Sequence, residues 1–524
     1  MWAAATQRPH LATLRGLRTG APLDQLVALG LALAALGLNL LKLPGTSLWG
    51  DEVFSLELVA TPSPLFWHYI STHETNMALY HVLLRAWLGL TGFVGLAPDE
   101  AIVRIPSVVF GVLAVATVYA FGLRWWGRTV GVIGATLLML NELQLLVARE
   151  ARSYSLEVLL VCVGWYALLA AIRSDRHAWR WWSAFVLAMT LALYAHLFSA
   201  LVVAAQGAAV AGLLVLRSDW RDGARRALRA TLASFGAIAL AALPLLAYTM
   251  RHGPTNPQIG PASPVEVARL IWNVAGHDIV FAIIFGGAVA TAVLLTARRH
   301  QQVGGLRLPA TGVLVTWLIV PVVLSYAATQ RTLNLHLFAW GYLVVVVPAL
   351  CLLAGVGVAA LRRPLLRCGL AVALIVGAAF ATPVYSSQPD QDFRTAAAWI
   401  AERYRPGDGL VVTSWSSSLA MAYYARLGSL PSELAATTPA PWSWTDGGAI
   451  PLDMAAVAAY SAAHPRIFLV DSLLEGDAPD VKARAGAART WLDASYRLVG
   501  VVAVPSSLGA VRVFLYDTGH PAYL

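Results

Sequence analysis

The chain has 524 residues, of which 58% are hydrophobic and only 12% charged, and its formal net charge is +9. Soluble domains carry charge on about a quarter of their residues, so this composition excludes an ordinary soluble enzyme and indicates a polytopic membrane protein. A nucleic-acid surface is excluded too: the arginines fall in small clusters between apolar segments, which is how membrane topology is written, and lysine occurs only at Lys42 and Lys482.

At the start, Arg8, Arg15 and Arg18 precede an apolar run over 23–43. This is the layout of a signal peptide without a small-residue cleavage site, so it is expected to stay as a first helix. A span needs about 20 apolar residues, and on that measure eleven are expected, at 23–43, 102–123, 129–147, 154–172, 181–197, 198–216, 230–249, 279–297, 309–328, 336–360 and 365–385. One set of connecting loops carries Arg124 and Arg128; Arg173, Arg176 and Arg180; Arg217, Arg221, Arg225, Arg226 and Arg229; Arg298, Arg299 and Arg307; and Arg362, Arg363 and Arg367. The other set holds most of the acids: Asp51, Glu52, Glu57, Glu74, Asp99, Glu100, Glu150, Glu266 and Asp278. By the positive-inside rule the amino terminus is cytoplasmic and Asp51 lies outside.

The segment 77–96 is apolar enough to span, yet it contains His81 and Arg85, and as a span it would reverse every later loop. The outer loop 44–101 is therefore expected to hold interfacial helices at 53–60, 64–71 and 77–87. After Tyr385 the composition shifts to alternating helix and strand patterns. Helices are expected at 393–404, 454–463 and 481–495, and strands at 409–413, 466–471, 496–504 and 511–517. The expected architecture is thus a transmembrane helical domain, 1–385, followed by an extracytoplasmic α/β domain, 386–524. Cys162, Cys351 and Cys368 fall in or at the ends of apolar segments, so no disulfide framework or zinc spacing is available.

Four groups of residues carry candidate chemistry. Asp51 and Glu52 stand just after the first apolar segment, beside Trp49. Neighbouring side chains on a helix point in different directions, so one carboxylate can face a cavity while the other binds a neighbour or caps the helix. Arg149, Glu150, Arg152 and Tyr154 share the short outer turn before 154–172; a guanidinium holds phosphate through a fork of N–H donors, and Tyr154 can reach a headgroup or acceptor. His68, His73, His81 and His196, with Asn76 and Tyr80, form a polar set that lacks the spacing of a zinc helix, so it is read as polar contacts to a sugar or acceptor, His196 reaching the same cavity, and no metal site is assigned. Finally, Asp390-Gln391-Asp392 has the form of the acidic pair that holds nucleotide sugars, but its place outside and before a helix favours capping.

In order and spacing, Leu48-Trp49-Gly50-Asp51-Glu52, His73-Glu74-Thr75-Asn76-Met77-Ala78-Leu79-Tyr80, Arg104-Ile105-Pro106-Ser107 and Ala151-Arg152-Ser153-Tyr154-Ser155-Leu156 resemble the GT-C superfamily of membrane glycosyltransferases. The likeness is to bacterial relatives of protein O-mannosyltransferases and of the lipid A aminoarabinose transferase, and it covers most of the membrane part. It implies an inverting glycosyltransferase of the bacterial inner membrane, moving mannose or another monosaccharide from a polyprenyl-phosphate donor to a protein, glycan or lipid acceptor on the outer face. Asp51 would be the general base with Glu52 beside it, Arg152, Arg331 and Arg149 would meet the donor phosphate, and His73, Glu74, Asn76, Tyr80, Glu150, Tyr154, His196 and His336 would contact substrate. No cofactor is assigned, although a divalent cation is compatible. The segment from His336 to Tyr342 lacks the arginine that relatives often carry there, so His336 or Arg331 is expected to substitute. A lipid-linked-sugar flippase and a noncatalytic scaffold are the competing readings; against the first, no repeated halves are visible and the acids gather at one face.

Overall fold

The structure, a computed structural model, describes residues 21–521 apart from 42, 44, 175–176, 216–218, 253–259, 298–307, 383–388, 437–438, 440, 446–447, 475–476 and 478. Arg8, Arg15, Arg18, Lys42, Arg176, Arg217, Arg298, Arg299, Arg307 and the expected boundary at Tyr385 and Ser386 lie outside the described residues.

Helix α1 (Ala21–Leu40) sits at the edge of the bundle and exposes Leu26, Leu29 and Leu33, as a helix facing hydrocarbon does. The helices α2 (Gly50–Ala60), α3 (Ser63–Thr72) and α4 (Ala78–Phe93) follow. With 16 residues, α4 is shorter than a span requires, and its Arg85 is spent locally. The guanidinium donates to the carbonyls of Val59 and Thr61, at 2.8 Å each, and lies 4.5 Å from the Phe66 ring centre. A cation there meets the unpaired carbonyls that end α2.

Next come α5 (Glu100–Trp126), α6 (Arg128–Leu140) and α7 (Glu142–Ala148). The last two bend by 63° because Asn141 ends one and caps the other, its side chain accepting from the Gln144 N–H. At the α5/α6 crossing, a Cβ on Gly122 would lie 2.6 Å from the Cα of Gly131, so only glycine permits this approach. The bundle continues with α8 (Tyr154–Arg173), α9 (Ala178–Ala195), α10 (Ser199–Val215), α11 (Asp219–Ala241), α12 (Leu243–His252), α13 (Pro264–Val274), α14 (Ile279–Ala297), α15 (Leu308–Ala328), α16 (Val347–Ala359) and α17 (Pro364–Phe380). Trp165 of α8 stacks on Trp317 of α15 with ring centres 5.4 Å apart, and the Trp317 indole donates to the Val345 carbonyl at 2.9 Å, which satisfies a donor otherwise stranded among apolar side chains.

Among the described residues, five helices are long and apolar enough to cross a membrane, or eight if each of three bent pairs counts as one span. Length and composition in the folded chain therefore do not give the expected eleven uninterrupted spans. The stretches expected at 129–147 and 230–249 are broken, by 63° at Asn141 and by 45° at Ala242, while Ser199–Val215 and Pro364–Phe380 are short.

From Phe393 the chain forms α18 (Phe393–Arg403), β1 (Gly409–Val412), α19 (Trp415–Arg426), α20 (Ser432–Ala436), a hairpin of β2 (Trp442–Ser443) and β3 (Gly448–Ala449), α21 (Met454–Ala462), β4 (Arg466–Asp471), α22 (Pro479–Ser495), β5 (Tyr496–Val504) and β6 (Val511–Pro521). The main sheet has the order β1-β4-β6-β5, with β1 and β4 parallel and the other pairs antiparallel. Alternation along the strands divides its faces. Val411, Ile467, Leu469, Phe514 and Tyr516 pack with Val457, Ala488 and Leu492 of α21 and α22. Leu410, Val412, Phe468, Val470, Val513 and Leu515 join one core with Phe393, Ile400, Tyr423 and Tyr424 and with Val53, Leu56, Phe66 and Tyr80 of the preceding helices. The α/β part thus shares its apolar interior with α2, which carries Asp51, and with α3 and α4. Sequence periodicity does not anticipate α19, because Trp415-Ser416-Ser417-Ser418 reads as a loop; Ser414 starts it by accepting from the Ser417 N–H.

Candidate active site

Helix α2 presents its two carboxylates in different directions. Glu52 is fully buried and faces Arg104 of α5. Its Oε1 accepts from Arg104 Nε at 2.7 Å and from the Ala151 N–H at 2.8 Å; its Oε2 accepts from Arg104 Nη2 at 2.5 Å and from the Trp49 N–H at 3.3 Å. Arg104 also donates to the carbonyls of Thr46 and Ser47, at 2.8 and 2.9 Å. Every contact of this pair is internal, so Glu52 joins α2, α5 and the turn at Ala151 into one unit. Asp51, with a third of its side chain exposed, turns instead toward Arg152, whose Nη2 lies 3.2 Å from its Oδ2.

Arg152 is the hub. It is 8% exposed, and Ser107 Oγ donates to its carbonyl at 3.3 Å while sharing a 3.0 Å hydrogen bond with the Tyr80 hydroxyl. Tyr80 is therefore a support of the turn. Burial would lower the pKa of Arg152, but the charge of Asp51, with Tyr154 and Glu74, outweighs it and the net shift is upward. Glu74 is pushed up to about 7 by burial, with Arg152 opposing and Asp51 adding to the rise. Glu150 is raised well above the ordinary carboxylate range by burial first, then by the charges of Asp390 and Glu52. One guanidinium is thus surrounded by more carboxyl groups than it can neutralise, and burial favours the neutral form of Glu74 and Glu150.

Aromatic rings close one side. His196 packs against Tyr342 and Tyr154 at ring-centre distances of 4.7 and 5.5 Å. Its Nδ1 accepts from the Phe198 N–H at 3.3 Å and lies 3.8 Å from Glu157 Oε2, and Glu157 in turn accepts from Ser199 Oγ at 2.7 Å. Asn76 accepts from the Leu197 N–H at 2.8 Å and so holds this turn against the outer-loop helices. His73 stacks on Tyr69 at 4.9 Å, and its carbonyl accepts from the Tyr248 hydroxyl at 2.6 Å.

The fold thus gathers Asp51, Glu52, Glu74, Glu150, Arg152, Tyr154 and His196 around one locus, with Asn76 and Tyr80 as its supports. Arg149 donates to the Leu41 carbonyl at 2.8 Å, tying the turn to the end of α1. Arg331 is exposed on the turn after α15 and takes no part in the ion pair at Arg152. His336 is 9% exposed in the left-handed region, at φ 54°, on the segment that leads to Tyr342.

Sequence reasoning gives no site role to Arg104, Tyr342 or Gln391. Arg104 had a legible signal, a charge inside an expected span that needs a partner. His81 is fully buried with neither ring nitrogen paired, edge-on to Phe54. In the acidic run, Asp392 caps α18 through the Thr395 N–H at 3.0 Å, as expected, while Asp390 accepts from Ser507 Oγ and Gln391 reaches α2. Among the described residues no three His, Cys, Asp or Glu side chains are grouped to hold a metal ion.

No family model matches the chain, and no curated protein matches it. Solved structures do. ArnT from Cupriavidus metallidurans in the apo state is similar over 95% of this chain and 99% of its own, with a TM-score of 0.61 at 15% identity. The same protein bound to undecaprenyl phosphate gives 0.56 at 15% identity over 95% and 98%. Archaeal oligosaccharyltransferase AglB from Archaeoglobus fulgidus, in complex with an inhibitory peptide and a dolichol-phosphate, gives 0.52 at 11% identity over 93% of this chain and 74% of its own. The chain therefore has the GT-C fold that these membrane transferases share.

Proposed function

We propose that the protein is an inverting glycosyltransferase that moves a monosaccharide, mannose or another, from a polyprenyl-phosphate donor to an acceptor hydroxyl on the outer face of the bacterial inner membrane. The observation that carries this reading is the Asp51–Arg152 pair at 3.2 Å, a partly exposed carboxylate against a buried guanidinium at the edge of a GT-C bundle. The eleven-span topology with the amino terminus inside and the α/β part, from residue 386, outside belongs to the same proposal.

In the reaction, Asp51 takes the proton of the acceptor hydroxyl as its oxygen attacks the anomeric carbon, and the bond from that carbon to the phosphate oxygen breaks. A positioned carboxylate in this role contributes roughly 10² to 10⁴ in rate. The polyprenyl phosphate leaves as an anion beside Arg152, whose fork suits phosphate oxygens. Arg149 and Arg331 are assigned to the outer course of the phosphate. Glu74, Glu150, Tyr154, His73, His196 and His336 line the substrate space, with Asn76 and Tyr80 holding its walls. Glu52 is reassigned from the chemistry to the frame, because all its lone pairs are spent internally.

The test is turnover of a panel of polyprenyl-phosphate sugars by the purified protein in lipid, native against Asp51→Asn. One donor is expected to turn over, with a loss of about 10² to 10⁴ in the variant. Unchanged transfer by Asp51→Asn would refute the assignment of the base.

A further inference from the structure

The amino terminus of α2 has an unusual cap. A helix leaves its first N–H groups without partners, and Ser, Thr, Asp or Asn at the N-cap usually meets one of them. Here the N-cap is Trp49, whose indole is a donor only. The Gly50 N–H donates instead to Gln391 Oε1 at 2.9 Å, across 341 residues of sequence, and Gln391 is 1% exposed. A Cβ on Gly50 would lie 2.8 Å from Ser416 Cβ and 3.0 Å from that same oxygen.

The same face of α2 is held further along. Phe54 meets the rings of Trp415 and Trp442 edge-on at 6.3 and 5.7 Å, and Glu57 takes a forked pair from Arg426 at 2.8 and 2.5 Å. Positions 50, 54 and 57 stand about one turn apart, on one side of the helix. Asp51 lies beside that side, turned to Arg152. On the opposite flank Glu52 pins α2 through its pair with Arg104.

We infer that the α/β part is a working half of the transfer site and that Gln391 is a positioning residue for Asp51. This rests on Asp51 as the base. Gln391 fixes where α2 begins, and with Glu52 it fixes the rotation that aims the Asp51 carboxylate. A misplacement of about 1 Å at a reacting group costs on the order of 10²-fold in rate.

The test compares Gln391→Met, which keeps length and removes the acceptor, with Gln391→Glu, which keeps an accepting oxygen. Both are assayed in the full-length protein in lipid, with the polyprenyl-phosphate sugar that turns over. Gln391→Met is expected to lower kcat about 10- to 100-fold at unchanged donor KM, and Gln391→Glu to restore most of it. In an Asp51→Asn background, Gln391→Met is expected to cost little more, because the group it aims has gone. Full multiplication of the two losses would overturn the inference, as would unchanged kcat in Gln391→Met or a folded but inactive Gln391→Glu. If Asp51→Asn alone leaves transfer intact, the reading of the base fails instead, and the two failures are distinct.

Discussion

Replacing Glu52 by Gln separates the frame of the site from its chemistry. The substitution keeps shape and removes charge. Each Glu52 oxygen faces two donors, Arg104 Nε with the Ala151 N–H on one and Arg104 Nη2 with the Trp49 N–H on the other. Whichever way the new amide is turned, its NH₂ meets two donors, and the buried Arg104 guanidinium keeps one neutral amide oxygen and the carbonyls of Thr46 and Ser47 but loses its anion. Removing one partner of a buried ion pair costs about 3 to 5 kcal/mol. The neighbouring change, Asp51→Asn, touches a pair whose guanidinium is buried but whose carboxylate is one-third exposed, so water reaches the pair and the cost should be smaller, about 1 to 3 kcal/mol. Thermal unfolding of both purified variants in detergent, alongside sugar transfer, is the assay. The expected pattern is a markedly lower unfolding midpoint for Glu52→Gln and a smaller drop for Asp51→Asn, with transfer lowered about 10² to 10⁴ in the latter. A Glu52→Gln protein that unfolds like the native chain yet transfers no sugar would refute the reasoning, because Glu52 would then act in the chemistry.

Arg152→Lys keeps a charge and loses the fork, so donor KM should rise about tenfold or more while the protein still folds; an unchanged KM would move the phosphate elsewhere. Glu74, raised to about 7, is largely neutral below that pH and becomes an anion beside the phosphate subsite above it. Donor KM should therefore climb as pH rises through 7, by at most about tenfold per unit for one proton, and Glu74→Gln should flatten the profile. Its folded pKa also lies above the ordinary carboxylate value, so the stability this group lends is fully present below about 4.5 and is lost as pH rises through 7. Gly50→Ala drives a methyl toward Ser416 and Gln391 and should cost about 1 to 3 kcal/mol by overpacking, read as a lower unfolding midpoint with reduced kcat.

Local pattern alone made several features legible. The apolar runs gave the helices their order, and strand alternation placed β4 and β5 at the residues they occupy. The Asp51-Glu52 pair and the turn at Arg152 stood out because charge beside apolar segments needs a reason. What each group does was not readable, since its partners are distant in sequence. Glu52 finds Arg104 52 residues away, and Gly50 finds Gln391 341 residues away. Adjacent residues on a helix differ by about 100°, so which of two neighbouring acids meets the open site and which is locked inside depends on how α2 is rotated. That rotation is set by α5 on one flank and the α/β part on the other. Composition, periodicity and charge order determined that this chain is a helical membrane protein with an acidic candidate site, because those are properties of local segments. The division of labour between Asp51 and Glu52, the bends at Asn141 and Ala242, and the seating of the α/β part on α2 arose only from tertiary packing, where the energies that decide them come from contacts no short window of sequence contains.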